Sequence, residues 1–158
     1  MIEDHLDPAV EKILPELLRK SIWNGVILDS APIIKRVYAK WRDGFIFLQE
    51  VVENRRRTPD FHKHPGNIRV YLKEGEYKMD VAYESDRVPE TYETVEIRAG
   101  MKYALGQRDW HRIYPMTAET RSVVVVNDWH PPAISNIKVE QMTARELQQQ
   151  VDIFRVYY

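Results

Sequence analysis

The chain has 158 residues, no cysteine, and 23 basic against 24 acidic side chains, for a formal net charge of −1. The missing cysteines exclude disulfide scaffolds, zinc ribbons, iron–sulfur clusters and thiol catalysis, and the balanced charge gives no global pull toward nucleic acid or membrane. With 44% hydrophobic and 30% charged residues, the composition is that of a folded chain, and one of this length buries roughly two-thirds of its unfolded surface.

Residues 7–20 have the pattern of a helix. Asp7 is the expected N-cap and Pro8 the first helical residue, and Val10, Ile13, Leu14, Leu17 and Leu18 recur at spacings of three and four. Pro15 lies inside the pattern and is expected to kink or divide it. Asn24-Gly25 reads as a turn. From 25 to 127 short apolar or alternating runs take over: Val26–Leu28, Ile33–Tyr38, Phe45–Val52, Ile68–Leu72, Tyr77–Tyr83, Thr91–Ile97, Lys102–Leu105, His111–Tyr114 and Ser122–Val126. Asp43-Gly44, Thr58-Pro59-Asp60, Pro65-Gly66, Glu74-Gly75 and Ala99-Gly100 punctuate them. Many short strands without intervening helices predict an antiparallel sandwich or barrel. After Pro131-Pro132, Thr143 and Glu146 form a capping-box pattern. Leu147, Val151 and Phe154 then share one face of a predicted C-terminal helix over 143–155. No repeat or linker divides the chain, so one domain over 1–158 is expected. No apolar run approaches the ~20 residues of a membrane helix. The opening Met1-Ile-Glu-Asp-His5 also lacks the basic and apolar regions of a signal peptide. A soluble cytoplasmic protein is the expectation.

Of five histidines, His5 and His130 stand outside any motif, and His62, His64 and His111 carry the chemistry. Two imidazoles two residues apart on a strand share a face and supply half of a chelate. His62-Lys-His64, followed by Ile68 and Gly75, resembles the first motif of the cupins, with Ile68 where that motif has Glu. Gly100 and His111 stand at the separation of the second cupin motif, with Gly106 and Arg108 in place of its Pro and second Gly, and Pro115 where Asn is frequent. Phe61-His-Lys-His-Pro65, with Gly75-Glu-Tyr77 beyond it, is similar to a subgroup of small single-domain cupins. The resemblance covers residues 33–126 and implies an all-β fold, a single cupin (jelly-roll) barrel flanked by an N-terminal and a C-terminal helix. It also implies a metal site of three histidines, His62, His64 and His111.

Alternation in the strand after Pro65 puts Ile68, Val70 and Leu72 on one face and Arg69, Tyr71 and Lys73 on the other. Ile68 is thus expected inside the barrel at the carboxylate position. Three neutral imidazoles suit Fe, Zn, Ni, Cu or Co as a divalent ion, and the resemblance implies a metal-dependent enzyme on a small organic molecule, dioxygenase-like among the alternatives. A cupin isomerase or lyase and a metal-free small-molecule-binding cupin are the others. Asp60 is either a carboxylate orienting an imidazole or a turn residue, and Asp109 has the same ambiguity. Tyr103 is expected at the pocket. Arg55-Arg56-Arg57 reads as an anion site or, more simply, a solvated loop, too small for a nucleic-acid surface. The apolar tail Phe154-Arg-Val156-Tyr-Tyr158 suggests either a strap over its own sheet or the contact of a homodimer.

Overall fold

The computed structural model describes residues 8–127 and 137–158. The expected Asp7 cap, His5, His130 and the Pro131-Pro132 break lie outside the described residues. The elements run α1 (Pro8–Leu17), β1 (Asn24–Asp29), β2 (Ile33–Trp41), β3 (Gly44–Val52), β4 (Asn67–Glu74) and β5 (Glu76–Ala82). They continue with β6 (Glu93–Arg98), β7 (Lys102–Leu105), β8 (Trp110–Pro115), β9 (Arg121–Asn127), β10 (Lys138–Gln141) and α2 (Ala144–Arg155).

A seven-stranded antiparallel sheet, β10-β1-β2-β3-β9-β4-β7, faces a three-stranded one, β6-β5-β8. Together they make an antiparallel β-sandwich with a helix at each end of the described chain. The centre of the large sheet is buried on both faces, which explains why β3 and β9 read as near-continuous apolar runs. Ile46, Leu48, Val123 and Val125 turn outward. There they pack with Val10, Leu14 and Leu18, and with Val151 and Phe154 of α2. The alternate residues, Phe47, Val124 and Val126, turn inward and join Ile68, Val70, Leu72, Met79 and Tyr103 in a second cluster. This alternation bears out the expected register of β4, with Ile68 only 4% exposed.

Pro15 does not divide α1, which continues to Leu17; the apolar stripe of α1 packs on the sheet and holds the helix where one backbone donor is missing. Asn24-Gly25 is not a turn but the start of β1. A side chain at Gly25 would collide with Met142 and Leu147, so this glycine lets α2 approach the strand. Gly75 (φ +79°) and Gly100 (φ +94°) do occupy left-handed turns.

The Thr143 capping box forms in full, with Glu146 N–H donating to Thr143 Oγ1 at 3.1 Å and Thr143 N–H to Glu146 Oε1 at 3.0 Å. The Arg155 guanidinium donates from Nε and Nη2 to the Leu18 carbonyl, linking the two helical ends. The tail folds on its own sheet: Tyr157 meets Arg121 and Glu74 through its hydroxyl, and Phe154 is fully buried. Val156 of the same tail is 83% exposed. None of the described helices is long and apolar enough to cross a membrane.

Candidate metal centre

His111 is on β8, and the backbones of His62 and His111 exchange both hydrogen bonds, each 3.0 Å, in an isolated antiparallel bridge. Directly opposed residues of such a pair project their side chains to the same face. The bridge thus brings the two motifs together across the edge of the small sheet. His64 follows outside any strand, so the H-x-H lies on one extended segment with only its first member bridged. The intervening Lys63 points the other way, its ammonium 4.9 Å from the Trp110 ring.

The three rings converge. Their centroids are 4.5 Å (His62–His111), 4.7 Å (His64–His111) and 5.1 Å (His62–His64) apart. One ligand nitrogen from each lies within 4.8 Å of the others. His111 Nε2 and His64 Nε2 are 3.3 Å apart, the spacing expected of two nitrogens on one ion at ~2.1 Å each.

The partners of the remaining ring nitrogens set the tautomers. His111 Nδ1 faces Met79 Sδ at 3.3 Å and His62 Nδ1 faces the Asp60 carbonyl at 3.3 Å. Thioether sulfur and carbonyl oxygen only accept, so Nδ1 carries the hydrogen in both rings and Nε2 keeps a lone pair. His64 Nδ1 is buried without a partner. Of the two readings of Asp60, neither is met as stated: it faces the imidazole of His62 through its backbone carbonyl, not its carboxylate. Asp109 is a turn residue, accepting from Gly106 N–H and Glu84 N–H.

All three imidazoles are biased to the neutral form a metal needs. Burial drives His111 and His64 well below the ordinary histidine range, and neighbouring histidines add to this. For His62 burial lowers the pKa, the Asp60 carbonyl raises it, and the Arg36 charge lowers it again. In the unfolded chain these rings take up protons near pH 6.5, whereas the folded chain resists until lower pH. Stability of the metal-free protein is therefore full above about pH 6.5 and declines below it. The decline steepens as pH falls, because the unfolded chain takes up protons on His64 and His111 that the folded chain refuses. Urea midpoints measured at several values from pH 7.5 to 5 are expected to fall accordingly, and a flat profile would contradict neutral buried rings.

Ile68 sits inside the sandwich between Leu105 of β7 and Val126 of β9. Tyr103 is also interior, 3% exposed, with its hydroxyl against that of Tyr77, the tyrosine of the Gly75-Glu-Tyr77 run. Burial pushes both phenols up, so both stay protonated. Arg56 and Arg57 form exposed pairs with Asp29, as a solvated loop does. A cavity of about 430 Å³ lies beside the β5–β6 connection, lined by Glu84, Ser85, Arg87 and neighbours, and none of the three histidines borders it.

No protein-family model matches the chain, and no curated protein matches it. Among solved structures, hydroxypropylphosphonic acid epoxidase from S. wedmorenis aligns at 15% identity and a TM-score of 0.48, over 60% of this chain and 50% of that one. The iron(II) form of HppE aligns at 18% identity and 0.45 over 58% and 50%. Cobalt(II) HppE in complex with substrate aligns at 14% and 0.46 over 58% and 50%. The chain spans about half the length of these structures.

Proposed function

We propose that the chain is a metal-dependent enzyme acting on a small organic molecule, with His62, His64 and His111 holding one divalent transition-metal ion. The observation that supports this is the convergence of three ligand nitrogens within 4.8 Å of one another, with His62 and His111 presenting Nε2 lone pairs. Three neutral nitrogens and no carboxylate suit Fe, Co, Ni, Cu or Zn. Such an ion would supply a Lewis-acid or redox centre with coordination positions left free. Within this class the reading is a dioxygenase-like oxidoreductase, because those free positions admit both dioxygen and a substrate. His62, the most exposed of the three, marks the side from which small molecules enter.

A second reading has one observation in its favour. His64 Nε2–H can donate to His111 Nε2 across their 3.3 Å contact, giving a metal-free pocket that binds a small molecule without turnover. Tag-free protein reconstituted with each ion in turn and examined by elemental analysis separates the two. The enzyme reading expects about one ion per chain after dialysis. Metal below about a tenth of that for every ion leaves the metal-free pocket. Dioxygen uptake by the iron(II)-loaded protein, screened against small organic acids, tests the oxidative part.

A further inference from the structure

Because Val37 and Ala39 of β2 face the helices, alternation sends Arg36 and Tyr38 to the interior of the sandwich. The contacts agree: the Arg36 guanidinium carbon stands 4.3 Å from the centre of the Phe47 ring, and Nε donates to Gln49 Oε1 at 2.7 Å. Phe47 belongs to the interior cluster. The partly buried arginines Arg112 and Arg121 meet carboxylates, Asp80 at 2.7 Å and Glu50 at 2.8 Å. Arg36 has a neutral amide and an aromatic face instead, and no carboxylate among the described residues pairs with it. Phe47, under the guanidinium, shares the interior cluster with Met79, whose sulfur meets His111 Nδ1 at 3.3 Å, so Arg36 and the histidines border the same interior. Burial lowers the guanidinium to about 10, and its charge bears on His62 and His64. A cation in such a place is costly unless something balances it, and Arg36 remains partly open to solvent.

We propose that Arg36 anchors the carboxylate of the small organic molecule that reaches the centre of His62, His64 and His111. The assignment rests on the metal-dependent reading above and names the chemical class of its substrate. With Nε committed to Gln49, the Nη1 and Nη2 end of the fork is what a ligand meets, and it matches the two oxygens of a planar carboxylate. The neighbouring inward side chains Tyr38, Phe47 and Gln49 add no second cation, so the site balances a monoanion better than a phosphate dianion. Tyr38, Phe45 and Phe47 pack edge-on and tilted, with centroids 6.2–6.5 Å apart, into an apolar wall for the hydrocarbon part.

The test is calorimetric titration of the full chain, metal-free and zinc-loaded. The probes are unbranched hydroxycarboxylates of two to five carbons, their amides, and inorganic phosphate at constant ionic strength. At least one carboxylate is expected to bind ten-fold or more tightly than its amide and than phosphate. Arg36→Gln is expected to abolish that preference while leaving metal content unchanged. The wild-type comparison of acid with amide stands even if the variant folds poorly, and Arg36→Met, which keeps the stem over Phe47, gives a second variant. Equal binding of acid and amide, no binding of any acid, tighter binding of phosphate, or a preference that survives in both variants would overturn the anchor. A carboxylate preference in the metal-free chain, together with failure to bind any metal, would sink the enzyme reading and keep the anion site.

Discussion

Replacing His62 with alanine is expected to remove the metal and leave the fold intact. His62 stands at the exposed rim of the cluster, with one side of its ring against His64 and His111, and the ring's one hydrogen bond is a long contact to a backbone carbonyl. Surface substitutions of this kind change stability by about 0.5 kcal/mol or less, so the metal-free melting temperature is expected to move by no more than about 2 °C. Metal affinity is expected to fall by at least about 100-fold, because loss of a mere outer-sphere partner of a ligand already costs 10- to 100-fold. His111→Ala is expected to lose metal as completely, and in addition about 2 kcal/mol of stability, since His111 is 5% exposed and packs on Met79. The contrast between the two variants separates ligation from packing. A His62→Ala protein that retains about one tightly held ion per chain would refute the three-histidine centre.

The strand pattern was legible because β1 to β9 bury one or both faces, so alternation or unbroken apolar runs mark each of them. The tenth strand was not. Lys138–Gln141 is exposed along its whole length, and its place at the sheet edge is set by its pairing with β1, to which side-chain pattern does not respond. Gly25 misled for a related reason: a glycine that admits a neighbouring helix looks, in sequence, like one that makes a turn.

The site divides in the same way. The three histidines were legible as residue types at motif spacing, although 47 positions separate His64 from His111. The groups that orient them were not. The Asp60 carbonyl is main chain and carries no sequence signal, and Met79 looks like any core methionine. Arg36 was hidden by its strand. In Lys35-Arg-Val-Tyr-Ala-Lys40 the polar and apolar positions fit either face. Only the helices packed against Val37 and Ala39 decide that Arg36 turns inward.

Ile68→Glu is expected to produce the largest single change in stability. Ile68 is 4% exposed and its neighbours across β7 and β9 are Leu105 and Val126. A carboxylate there has no partner among them, and burying it unpaired costs several kcal/mol, about 4. The metal-free variant is therefore expected to melt about 10 °C below the parent. Resemblance to the cupin motif puts Ile68 where a fourth ligand would stand, and a cation beside the new carboxylate would supply the charge it lacks. Adding zinc or cobalt is then expected to recover much of the lost melting temperature and to bind the variant more tightly than the parent. Binding to the folded state alone stabilises by about 4 kcal/mol at a thousand-fold excess over Kd, enough to offset the buried charge. If the variant loses stability but gains nothing from metal, Ile68 lines the core away from the centre, and the open side of the three histidines faces the bound molecule alone.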